Sequence, residues 1–163
     1  MKLARVIRFD RSDLNVFPVA ADEGEWALVG TFCFAGTPQE KLVGKVKQAF
    51  SNGFLGMASF GFSTLVSVAS ARPRDKDDIA AMLTDRFVAE FGAPDRDAAM
   101  AAAIEEINFM AELCADHKTG TLLALQRRWT DDGIKETLWP LYFAANHGQR
   151  QFCRAHRLWQ ICP

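Results

Sequence analysis

The side chains in this sequence best suited to chemistry are few and widely spaced. His147, Cys153, His156 and Cys162 follow one another with five, two and five residues between them. Imidazole and thiolate are the ligands zinc prefers. This spacing, however, matches no zinc motif with a defined knuckle geometry, so metal binding by the tail ranks third among the functional readings. Cys114 and His117 stand i, i+3 near a helix end, but Cys114 falls on an apolar stripe, where a thiol is inert packing material. Glu105, Glu112 and Asp116 share one helix face, and such a row reads as the wet side of an amphipathic helix rather than an acid–base pair. Arg127 and Arg128, followed by Trp129, offer positive charge at a strand end. Adjacent strand residues point to opposite faces, so the two arginines are expected not to converge. The chain has no Gly-x-Ser-x-Gly elbow, phosphate-binding lysine loop, dinucleotide fingerprint or His-Glu-x-x-His. No catalytic residue is assigned and no cofactor is expected.

The remaining stretch that resembles a ligand site is SNGFLGMASFG, residues 51 to 61, with glycines at 53, 56 and 61. A phosphate loop needs its glycines ahead of a helix, where unpaired N–H groups and the positive dipole end face the anion. Here they follow a helix, at its negative end. Gly53 therefore reads as a left-handed C′ residue. Beyond it, a long strand is expected, with Ala58, Phe60, Phe62, Val66 and Val68 on one face. Ser59, Gly61, Ser63, Ser67 and Ala69 lie on the other, where small residues allow close approach of another element. That face is also the expected floor of a shallow groove, with Ser59, Gly61, Ser63 and Arg127 as its candidate ligand-binding residues.

The elements around these residues follow from periodicity and caps. Residues 3 to 9 and 26 to 34 read as strands. Thr37-Pro38-Gln39-Glu40 has the pattern of a capping box and opens a helix that runs to about Gly53. Residues 75 to 92 and about 95 to 117 are helical by their 3.6-residue stripes, and Pro94 separates them. Residues 121 to 129 and 134 to 143 form a hairpin about Asp132-Gly133. The order ββαβααββ predicts an α+β domain with a largely antiparallel sheet of about four to six strands and helices packed on one face. One domain is expected over residues 1 to 163, with an irregular tail from about residue 144.

Composition narrows the function further. No apolar run approaches the ~20 residues of a membrane span, and the charged N-terminus lacks the apolar core of a signal peptide. With four cysteines expected as free thiols, the setting is expected to be cytoplasmic. Residues 1 to 74 carry a net charge of +3, residues 75 to 118 a net −7, and residues 119 to 163 a net +3. There is no chain-wide basic footprint, so neither nucleic acid nor membrane is expected as a partner.

Gly24-Glu25-Trp26-Ala27, Gly44-Lys45, Ala49-Phe50, Gly53-Phe54-Leu55-Gly56, Ser59-Phe60-Gly61, Ser63-Thr64-Leu65-Val66 and Phe91-Gly92-Ala93-Pro94 resemble a family of small bacterial proteins of unknown function. The resemblance spans roughly residues 1 to 140 and implies no activity or catalytic residue. The leading expectation is a non-catalytic accessory or protein-interaction domain, acting through its sheet face or as a homodimer. The second is a small-molecule binder or enzyme with a groove beside Gly53–Ser63.

Overall fold

The computed structural model describes residues 1–141 and the backbone of the strand 150–153. Its strands are β1 (Lys2–Ile7), β2 (Trp26–Leu28), β3 (Phe54–Gly56), β4 (Phe62–Ser63), β5 (Leu65–Ser70), β6 (Leu122–Thr130), β7 (Gly133–Leu141) and β8 (Arg150–Cys153). They form one sheet in the order β4-β3-β2-β1-β5-β6-β7-β8, and every neighbouring pair is antiparallel. The helices are α1 (Ser12–Val16), α2 (Gly44–Asn52), α3 (Pro73–Glu90) and α4 (Arg96–Ala115). The class is α+β, as the pattern of elements predicts. The sheet has eight described strands rather than four to six. One expected strand divides into two, Phe54–Gly56 adds a third neighbour, and the tail expected to be irregular supplies β8.

The long helices form where local signals agree. Pro73 occupies the first turn of α3, and the Arg72 amide and side chain both donate to the Asp75 carboxylate. Asp95 caps α4 by accepting from the Ala98 amide at 2.7 Å. Ile79, Leu83 and Phe87 of α3 and Ala103, Ile107 and Met110 of α4 are buried in the main core with Leu3, Leu28, Leu55, Val66 and Leu123. The α4 helix rests on β1 and β2, and α3 rests on α4. In the hairpin, Thr130 pairs with Gly133 around a two-residue turn at Asp131-Asp132, one position earlier than expected. Gly133 has φ +114°, which glycine adopts without strain.

Four local expectations fail. The Thr37 capping box does not form: Gln39–Lys41 is a single 3₁₀ turn, and the α-helix begins at Gly44. Gly53 is extended, with φ −90° and ψ 120°, not left-handed. It is glycine for space, because a Cβ there would lie 2.7 Å from the Ala49 carbonyl oxygen and 2.8 Å from the Phe62 ring. The strand expected over 26 to 34 stops at Leu28. Gly30 then turns at φ +76°, and Thr31–Phe34 forms a 3₁₀ helix. The strand expected through 58 to 69 is likewise interrupted. Residues 57 to 59 form a turn, and Gly61 lies outside either strand. The close approach expected at Gly61 is present, because a Cβ would lie 2.6 Å from the backbone carbonyl of Ala20.

The sheet register sorts side chains onto two unlike faces. Val66, Val68, Leu123, Leu125, Arg127, Glu136 and Leu138 share the inner face and are buried. The other face carries Ile7, Leu65, Ala124 and Trp139 in one cross-strand row, and Arg5, Ser67, Leu122 and Leu141 in the next. Apart from Ala124 these are half-buried or exposed.

Candidate functional site

The glycine-rich turn does hold an anion, and the anion is the protein's own. Glu25 precedes β2 and sends its carboxylate into the turn at 57 to 59. Its Oε1 accepts from the Ala58 amide (3.1 Å), the Ser59 amide (3.2 Å) and the Ser59 hydroxyl (3.0 Å). Its Oε2 accepts from the Asp22 amide at 2.9 Å. The Ser59 hydroxyl in turn accepts from the Gly61 amide at 3.0 Å. Gly56 is glycine for this carboxylate, since a Cβ would lie 2.0 Å from Oε1. Ser63 is fully buried, and its hydroxyl donates to the Leu65 carbonyl at 2.8 Å. Ser59, Gly61 and Ser63 are therefore bonded into the fold, and they line neither the groove beside α2 nor the small cavity beside Arg8.

Arg127 sits on β6. It is 1% exposed, and its fork is directed at the end of α2 and the chain that follows β2. Nη1 donates to the carbonyls of Phe50 and Gly53, both at 2.9 Å, and of Ala49 at 3.3 Å. Nε donates to the Thr31 hydroxyl at 2.5 Å, and Nη2 donates to the Val29 carbonyl. The guanidinium also lies 5.5 Å from the Phe34 ring centre, within cation–π range. A helix leaves its last carbonyls without intrahelical donors and carries negative partial charge there. A buried guanidinium answers both. Burial pulls Arg127 down to about 10 while Glu136, its cross-strand partner, holds it up, so it stays charged at neutral pH.

Glu136 and Glu106 are buried beside this centre and engaged with it or with other neighbours. Sequence reasoning missed both carboxylates and Thr31. Glu136 was within reach: counting back along the hairpin from a turn at Asp131-Asp132 places it opposite Arg127. Glu106 and Thr31 carried no such signal.

Between the 3₁₀ turn, α2 and the end of β6 lies an open groove of about 290 Å³. Lys47 and Ser51 of α2, Gln39 before it, and Arg127, Arg128 and Trp129 of β6 line it, with Phe50 and Leu42 as apolar wall. Strand alternation holds for the arginine pair, since Arg127 is buried and Arg128 exposed. Even so, both reach this groove, because it opens at the strand end where the two faces meet. A smaller cavity of about 100 Å³ lies beside Arg8, Asp13 and Thr64. There the Asp13 carboxylate accepts from the Thr64 hydroxyl (2.6 Å) and amide (3.2 Å).

Burial pushes the Cys33 and Cys114 thiols up to about 12, so neither is a thiolate at neutral pH. Among the described residues, no three His, Cys, Asp or Glu side chains cluster as a metal site would require. Of the proposed tail ligands, only the backbone of Cys153 is described, in β8 opposite Lys135. His147, His156 and Cys162 lie outside the described residues. Among the described residues, no helix is long and apolar enough to cross a membrane.

A family model described as a family of unknown function (DUF6505) matches residues 1–152. The chain belongs to that family. The match extends into β8, beyond the roughly 140 residues of the sequence resemblance. No curated protein and no solved structure matches the chain.

Proposed function

We propose that this family member is a non-catalytic accessory module that docks a partner protein through the open face of its sheet. The observation that carries this reading is the asymmetry of the two faces. Along β5, β6 and β7 the inner face buries Val66, Val68, Leu123, Leu125, Ile134 and Leu138, whereas the outer one, though it buries Leu3, presents Ile7, Leu65, Leu122, Trp139 and Leu141 at partial exposure. Tryptophan is enriched in binding patches, and the half-exposed aliphatic side chains around Trp139 supply the apolar area such a patch buries.

Charge says what kind of partner fits. On β1, β5, β6 and β7 this face carries Arg5, Arg128 and Lys135 and no carboxylate. An apolar protein surface rimmed by Asp and Glu is complementary to it, and opposite charge mainly sets partner choice and association rate. Two copies packed face to face would bring like charges together, which argues against the homodimer expected from the sequence. A cytoplasmic setting fits the free thiols of Cys33 and Cys114.

The test compares the parent with Leu122→Glu and Leu141→Glu, first by light scattering and then by affinity capture. The reading expects a monomer, with one captured protein lost in both variants. That protein, once purified, should bind the parent directly and more weakly as salt rises. A parent dimer broken by Leu122→Glu would make the occupant a second copy. Binding that survives both substitutions would remove the sheet face from consideration.

A further inference from the structure

We propose that the groove between α2 and the end of β6 is a binding site for a small organic anion with a planar apolar body. Three observations converge there. The first is charge: Lys47, Arg127 and Arg128 line the groove and no carboxylate does. Lys47 and Arg128 are exposed and form no ion pair with a described residue. A groove beside a helix C-terminus would ordinarily repel an anion. Here the carbonyls of Ala49, Phe50 and Gly53 are already covered by the buried guanidinium of Arg127, so the local field is positive.

The second observation is an unused donor. The indole Nε1–H of Trp129 is buried and has no partner among the described residues. Buried N–H groups are nearly always bonded, and this one belongs to a side chain that lines the groove, so a small shift of the indole would offer it to an acceptor there. The third is the wall. Phe50 and Trp129 stack with ring centres 6.1 Å apart and planes 16° from parallel, and Leu42 continues the apolar surface. Stacked rings suit a flat ligand body and confer preference over a bare inorganic ion. A volume of about 290 Å³ lies at the lower edge of the ~300–1,000 Å³ typical of small-molecule sites, so the ligand is small. The bound anion places its charged oxygens between Lys47 and Arg128 and lays its planar body against Leu42 and the ring pair, with the Trp129 indole turning toward it to donate.

Phenyl phosphate is the probe, with inorganic phosphate and benzyl alcohol as controls lacking one half of the recognised chemistry. The full chain carries four tryptophans, whose indole N–H signals are separable by nitrogen-15 NMR, and Trp129→Phe assigns the one that matters. Phenyl phosphate should move the Trp129 signal saturably. Each control should bind about tenfold more weakly or worse, and so should phenyl phosphate to a Lys47→Gln/Arg128→Gln variant, since one charged contact is worth roughly that factor. Both substituted residues are exposed, and an otherwise unchanged spectrum of the variant confirms that it is folded. No saturable movement, or equal affinity in the double variant, would overturn the site. Inorganic phosphate binding as tightly as phenyl phosphate would overturn the organic ligand class.

Discussion

Arg127→Met is the substitution to which the fold is expected to be most sensitive. It removes the guanidinium that donates to Phe50, Gly53, Val29 and Thr31, and takes away the cation opposite the buried Glu136. Each buried acceptor left unsatisfied costs about 1–3 kcal/mol, and breaking a buried charge pair by removing one partner costs about 3–5 kcal/mol. These costs overlap, because relaxation and water entry satisfy some groups, so the net loss is set at about 3–5 kcal/mol. A domain of this kind has about 5–15 kcal/mol in total. With a urea slope of about 2 kcal/mol per molar, the midpoint should fall by roughly 2 M. Arg127→Lys keeps the charge but not the planar fork, and one ammonium cannot reach Thr31, Val29 and the α2 carbonyls together. It should lose about 2–3 kcal/mol. Arg127→Met/Glu136→Met should recover part of the loss, since the buried negative charge is removed together with the cation that faces it across the strands. Urea melts followed by tryptophan fluorescence measure all three. If Arg127→Lys and Arg127→Met melt like the parent, the assignment of Arg127 as the cap of α2 is wrong.

Gly61→Ala should cost about 1–3 kcal/mol, because the new methyl meets the fixed backbone of Ala20 and Ala21 rather than a movable side chain; an unchanged urea midpoint would refute that contact. The Asp75 carboxyl is held down to about 2 by the Arg72 side chain and amide, against an ordinary value of 3.8. A carboxyl depressed in the folded state contributes stability that is complete above its unfolded value and lost as pH falls. The parent should therefore lose stability between about pH 4 and 2, and Asp75→Asn should lack that part of the loss in thermal melts across the same range.

What could be read along the chain was whatever local chemistry specifies alone. The α3 and α4 helices follow from their apolar stripes, the acidic first turn at Asp75 and the break at Pro94; the start at Pro73 and the Asp95 cap were seen only in the structure. The β6–β7 hairpin follows from two alternating runs around a short acidic turn. Cys114 is buried, as its place on the α4 stripe implied. Such signals recur within a few residues, so tertiary context had little to overrule.

Contacts made across the fold decided the rest. The strand after Trp26 ends at Leu28 because Val29 and Thr31 turn to Arg127, and Thr31 lies 96 residues away in sequence. At Gly30 a Cβ would strike the Cβ of Leu55 on another strand, so the chain can turn there only without one. The capping box at Thr37 had the right residues, yet the helix starts at Gly44, and its far end is satisfied by a distant guanidinium instead. Glu25 fills the glycine turn from 33 residues upstream. Lys47 and Arg128 share a groove only because β6 packs on α2. Hydrogen-bond donors and charges find partners in three dimensions, and a periodicity reports only which way a side chain points, not what it meets.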